Sequence, residues 1–169
     1  MLSVAVAYSS KNGNAKRLAA AISEGCQLAG NGAQSFDLGK PLHEQALAAF
    51  DLVFLGFDIP FYSADPRAAA LAKSGALSGK KTALFCSYSF SKKPLWEVAG
   101  FVTHKGGIVV NTIALKAKGA SRLLGGGNLG EVDLPRASAF AERTINNLLN
   151  RRVVKDSRKS EIGNYLKPR

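Results

Sequence analysis

The sequence predicts an α/β domain built on a doubly wound, five-stranded parallel sheet. Three observations carry that prediction. Short apolar runs alternate with amphipathic stretches along the chain, several of those runs are apolar at consecutive positions, and polar or glycine-rich loops separate them. Consecutive apolar positions are what strands buried on both faces require. Parallel neighbours need crossover connections, which are right-handed, so the alternation implies a sheet covered by helices on both sides.

The first strand is read at residues 3–8, SVAVAY, and ends at the polar stretch SSKNGN. From residue 15 to about residue 29, Ala15, Leu18, Ala19, Ile22, Cys26 and Ala29 recur at three- and four-residue spacing, the mark of an amphipathic helix. Gly30 and Gly32 stop it. Residues 33–38 are weakly apolar and read as a strand near a sheet edge, followed by a loose helix at 42–50. Residues 51–57, DLVFLGF, form the clearest strand, and the turn-rich DIPFYSADP leads into a helix at 67–73. The alternation repeats with a strand at 82–87, a helix at 94–104 and an Ile- and Val-rich strand at 107–114. Trp96 is read as packing on the sheet. After the glycine-rich KGASRLLGGGNLGEV, a last helix begins at Leu134, with Leu134, Ala137, Phe140, Ala141, Ile145 and Leu148 on one face. Asp133 is placed to cap it and Pro135 suits its first turn.

Composition narrows the class. With 46% hydrophobic and 21% charged residues in 169 positions, the chain is one globular domain, and disordered, collagen-like and disulfide-scaffold classes are excluded. Two cysteines, Cys26 and Cys86, stand 60 positions apart and read as buried thiols. The N-terminus lacks the pattern of a signal peptide and no run is long and apolar enough to span a membrane, so a cytoplasmic protein is expected. The formal charge of +11 predicts attraction to anionic partners. Residues 151–169 carry seven basic side chains against Asp156 and Glu161, a net +5 for the tail. We therefore divide the chain into a domain at 1–150 and a basic extension at 151–169. The extension has one aromatic, Tyr165, and no nucleic-acid motif, so no nucleic-acid partner is expected, and contact with an anionic surface is left to the tail. His43 and His104 lack metal-ligand spacing, and no nucleophile elbow, paired acid motif or HExxH occurs. The glycines before Asn128 read as a flexible connection.

In a doubly wound sheet, ligands bind outside the carboxyl ends of the strands, at the topological switch point. Three loops lie there: 9–14, 58–65 and 88–93. The first holds hydroxyls, amides and Gly13 ahead of a helix whose first N–H groups lack intrahelical partners, so a phosphate is its natural guest. It is neither a dinucleotide fingerprint nor a Walker A loop. The alternative reading is a tight turn with Asn14 as N-cap.

YSSKNGNAKRLA resembles the flavodoxin phosphate loop, in which Ser or Thr, one further residue and Thr-Gly-Asn-Thr lead into the first helix. Ser10, Gly13 and Asn14 match, while Asn12 and Ala15 replace the two threonines. DLVFLGFDIPFYSADP and LSGKKTALFCSYSFS are similar to the third and fourth flavodoxin strands with the loops that flank the isoalloxazine, and DLPRASAFAER is similar to the last helix. The resemblance covers about residues 1–150. It implies strand order 2-1-3-4-5 and noncovalent FMN. Ser9, Ser10, Lys11, Asn12, Gly13, Asn14 and Ala15 would hold the phosphate, and Pro60, Phe61, Tyr62, Ser63, Ser87, Tyr88, Ser89 and Phe90 would flank the ring.

The resemblance implies an electron-transfer protein that shuttles electrons between redox partners. No catalytic side chain is assigned, because the flavin performs the chemistry. Two alternatives stand beside it: a flavin-dependent reductase of a small molecule such as a quinone, and a binding or regulatory protein that has kept the fold and lost FMN. The positive charge predicts partners with acidic docking faces. Lys92 and Lys93 oppose Asp58 and Asp65 around the proposed ring, and predict a reduction potential less negative than that of an acidic flavodoxin.

Overall fold

A computed structural model describes residues 1–42, 44–118 and 127–165, with side chains through residue 150 apart from Glu44. Five strands, β1 (Val4–Ser9), β2 (Ala33–Asp37), β3 (Leu52–Ile59), β4 (Lys81–Tyr88) and β5 (Ile108–Lys116), form one sheet in the order β2-β1-β3-β4-β5. Every neighbouring pair is parallel. Four helices alternate with them: α1 (Asn14–Leu28), α2 (Pro66–Ser74), α3 (Lys93–His104) and α4 (Asp133–Tyr165). The order is the 2-1-3-4-5 doubly wound sheet that the resemblance implies. The loose helix expected at 42–50 is a single 3-10 turn, Glu44–Leu47.

The central strands form because every residue of β3 is buried, and six of the eight in β4 are as well. Alternate residues face opposite helical layers. Val4, Val6, Phe54 and Phe85 pack toward α1 and α4, while Ala5, Ala7, Leu55 and Phe57 pack toward α2 and α3. The weakly apolar β2 lies at one edge, as its sequence suggests. Each fully buried Leu or Phe contributes roughly 1.5–3 kcal/mol by leaving water, so these two layers are the main driving force for the fold.

Two glycines set distances within the layer of α1 and α4. A Cβ on Gly25 would lie 2.1 Å from the Ser138 carbonyl oxygen, so α1 and α4 cross where only hydrogen fits. A Cβ on Gly56 would lie 1.9 Å from Phe85 Cζ, so the Phe85 ring rests on the bare backbone of β3. The apolar face of α4 is the one that the sequence predicts, with Ala137, Phe140, Ala141, Ile145 and Leu148 buried. Its backbone then runs on through the basic segment to Tyr165.

Three local expectations are corrected. Trp96 sits on α3 but is 54% exposed, so it does not pack on the sheet. Asn14 is the first residue of α1 rather than its N-cap, a position taken by Gly13 at φ +86°. Asp133 opens α4, where its carboxylate accepts from Gly130 N at 2.9 Å and Arg136 Nη1 at 3.2 Å. His104 is exposed at the end of α3, and His43 lies outside the described residues. Both cysteines are buried and unpaired.

Candidate functional site

The switch point lies between β1 and β3, whose following helices cover opposite faces of the sheet. The loop after β1 turns through Gly13 in the left-handed region and delivers the chain into α1. Beside it, β3 extends two residues further than its apolar run, to Ile59, and this extension places Asp58 within the strand. Strand alternation puts Asp58 on the α1 side, in register with Ser87 on β4.

The Asp58 carboxylate is 1% exposed and is the centre of the site. Its Oδ1 accepts from Ala15 N at 2.9 Å and from Ser87 Oγ at 2.6 Å. Its Oδ2 accepts from Ser10 Oγ at 2.8 Å and Lys11 N at 3.1 Å. Two backbone amides and two hydroxyls thus match the four lone-pair directions of a carboxylate. The positive end of the α1 dipole lies at the same place and favours the charge.

Several predicted phosphate-loop residues are therefore together, around a side chain of the protein. Ser10, Lys11 and Ala15 meet at Asp58. Asn14 is buried and turns away, donating through Nδ2 to the Gly127 carbonyl at 2.6 Å. Asn12 is exposed. Ser9 falls on the other face of β1, with Ala5 and Ala7, and its Oγ is buried with no hydrogen-bond partner among the described residues. Alternation along β1 separates it from Ser10.

The second group gathers at the carboxyl ends of β3 and β4. Ser89 N donates to the Ile59 carbonyl at 3.2 Å and ties the two loops at their base. Above that tie, the Phe61 and Phe90 rings stack with centroids 6.0 Å apart and planes 11° from parallel. Tyr62 leans on Phe90 at 5.9 Å and 31°. Phe61 and Tyr62 are 45% and 72% exposed. Ser63 is also exposed, Pro60, Tyr88 and Phe90 are half-buried, and Ser89 is buried. Ser87 belongs to the carboxylate cluster rather than to this aromatic face. Asp65, expected to face the ring, instead caps α2, accepting from Arg67 N at 3.0 Å.

Beneath the site, Cys86 is fully buried. Loss of water pushes its thiol well above the ordinary range, the Asp58 charge pushes the same way, and Lys92 opposes them. Among the described residues, no group of three or more acidic, His or Cys side chains could hold a metal ion.

No protein-family model matches the sequence, and no curated protein matches it either. Solved structures do. An archaeal flavodoxin superposes with a TM-score of 0.66 at 20% identity, covering 86% of this chain and 97% of its own. Oxidised flavodoxin 1 from Bacillus cereus gives 0.69 at 16% identity, over 85% and 97%. This chain has the flavodoxin-like fold. Two-electron reduced Megasphaera elsdenii flavodoxin agrees, at 0.65 and 22% identity over 85% and 98%. No helix among the described residues is long and apolar enough to cross a membrane.

The flavodoxin-like fold implies FMN, and the aromatic face and the loop answer that expectation differently. The Phe61 and Phe90 rings are near-parallel with centroids 6.0 Å apart, and Phe61 is part-exposed, so they offer flat apolar surface on which a flavin ring can stack. The loop does not fit a phosphate. Ser10 Oγ, Lys11 N and Ala15 N are engaged by Asp58, and a phosphate brought to them would meet a buried like charge. Sequence reasoning treated Asp58 as a loop acid. The signal available was a carboxylate directly after the fully apolar run of β3, where a buried charge needs donors.

Proposed function

We propose that this flavodoxin-like protein binds a flavin ring between the loops that follow β3 and β4 and passes electrons between protein partners. The near-parallel Phe61–Phe90 pair at the carboxyl edge of the sheet carries this reading. The bound ring supplies the redox chemistry, and the protein supplies walls, orientation and charge. Phe61, Tyr62 and Phe90 give the apolar faces, and the Ser89–Ile59 hydrogen bond fixes the separation of the loops at their base. Partial exposure of Phe61 and Tyr62 leaves an edge open for electron exchange at a protein surface.

Partners with acidic faces suit the +11 chain, and the helical basic extension of α4 adds a second contact for an anionic surface. Association is then slowed by added salt. The test of ring binding is a fluorescence titration of riboflavin and of FMN with the full chain. Flavin affinity read from the quenching is expected to weaken at least about fivefold in Phe90→Ala, since an aromatic stacking contact is worth about 1–3 kcal/mol. Unchanged fluorescence with both flavins overturns the reading. A second reading, a flavodoxin-fold binding protein without a cofactor, is favoured by the carboxylate that fills the phosphate loop, and that negative result would decide for it.

A further inference from the structure

The groups suited to hold a phosphate hold a carboxylate of the chain itself. We propose that Asp58 is a built-in substitute for a cofactor phosphate, and that the aromatic pair beside it takes a flavin lacking its phosphate in preference to FMN. This rests on the flavin-binding reading above.

The first support is the donor set. Each Asp58 oxygen accepts two hydrogen bonds, Oδ1 from Ala15 N and Ser87 Oγ, and Oδ2 from Ser10 Oγ and Lys11 N. These are loop amides, hydroxyls and a helix N-terminus, the groups by which proteins commonly hold a phosphate, and the carboxylate has no lone pair left over.

The second support is fixity. Asp58 lies inside β3, paired with Ser87 across the β3–β4 ladder, and its side chain is buried. The ladder fixes the backbone of Asp58, and four hydrogen bonds and burial hold its carboxylate in the cradle. FMN would have to displace it from four hydrogen bonds.

The third support is the loop sequence. Ala15 contributes its N–H and no hydroxyl, so the cradle has fewer donors than a phosphate with three acceptor oxygens can use. Two oxygens suffice for the donors present. A flavin ending in a neutral hydroxyl brings no like charge to Asp58 and leaves the four bonds intact, whereas a phosphate brings about −2 against a buried −1.

The experiment is a pair of fluorescence titrations, riboflavin and FMN, on the full wild-type chain and on Asp58→Ser. The wild type is expected to bind riboflavin at least about tenfold more tightly than FMN, and Asp58→Ser, which removes the charge and frees the donors, to reverse that order. Asp58→Asn keeps the shape and is expected to bring the ratio toward one. If the variants do not fold, the wild-type ratio alone decides. Wild-type binding of FMN as tight as or tighter than riboflavin overturns this inference and leaves the flavin reading standing. Failure of both flavins with the wild type and with a folded Asp58→Ser overturns both.

Discussion

Ser87 Oγ donates to Asp58 Oδ1 at 2.6 Å, joining the carboxyl ends of β4 and β3 through side chains that are already neighbours in the ladder. Ser87 is 2% exposed. Replacing it with Ala takes one of four donors from a buried carboxylate, and hydrogen bonds to charged groups contribute about 1.5–3 kcal/mol. Ser87→Ala should therefore lose about that much stability in urea unfolding. Ser10→Ala, at a half-buried site where water can replace the hydroxyl, should lose less.

Gly25→Ala tests the crossing of α1 and α4. The added methyl meets the backbone of Ser138 rather than a side-chain end, so relief requires the helices to move apart. Overpacking of this kind costs about 1–3 kcal/mol, and the upper end is expected here. Thermal unfolding of the purified variant measures it.

Gly56→Ala should be similarly destabilising, for a reason that a second substitution can isolate. Its methyl collides with the Phe85 ring. Phe85→Leu removes the far end of that ring, so the double variant should be more stable than the sum of the single losses predicts. Additive losses in a double-mutant cycle would contradict the contact.

The thiols give a pH dependence. Burial pushes Cys26 up to about 12 and raises Cys86 as well. An unfolded thiol titrates near ~8.5, so above that pH the unfolded chain releases protons that the folded chain keeps. Stability is thus at its full value below about pH 8.5 and falls as pH rises toward about 12. Urea midpoints at pH 7.5 and 10 should show the fall, and replacing both cysteines with Ala should flatten it. Neither thiol should react with a disulfide reagent at neutral pH until the protein is unfolded.

Asp65→Ala removes the side-chain N-cap of α2, in which the Asp65 carboxylate accepts from Arg67 N. A loss of about 1 kcal/mol is expected, within the range of 0.5–2 for such caps.

The sheet was legible because its central strands are apolar without interruption, and its helices because their apolar residues recur at helical spacing. Residues 82–87 could be read as a strand without knowing their neighbours. Asp58 could not be read the same way. Its donors lie 29 to 48 positions away, at Ser10, Lys11, Ala15 and Ser87, and only the parallel crossovers bring them to it. In the sequence it opens a turn-rich stretch, where an aspartate reads as solvated. Ser9 was misplaced for a related reason: a loop reading ignores the pleat, and β1 extends one residue further than its apolar run, setting Ser9 and Ser10 on opposite sides. Trp96 shows the limit of composition, since a large apolar side chain predicts burial but α3 turns it outward.

The most direct test of the Asp58 account is a competition. The full chain is incubated with equimolar riboflavin and FMN, desalted, and the retained flavin is extracted and identified. Retention of riboflavin, with FMN largely washed away, is the predicted result. Retention of FMN would mean that a phosphate displaces Asp58 from its four donors, and would contradict the account.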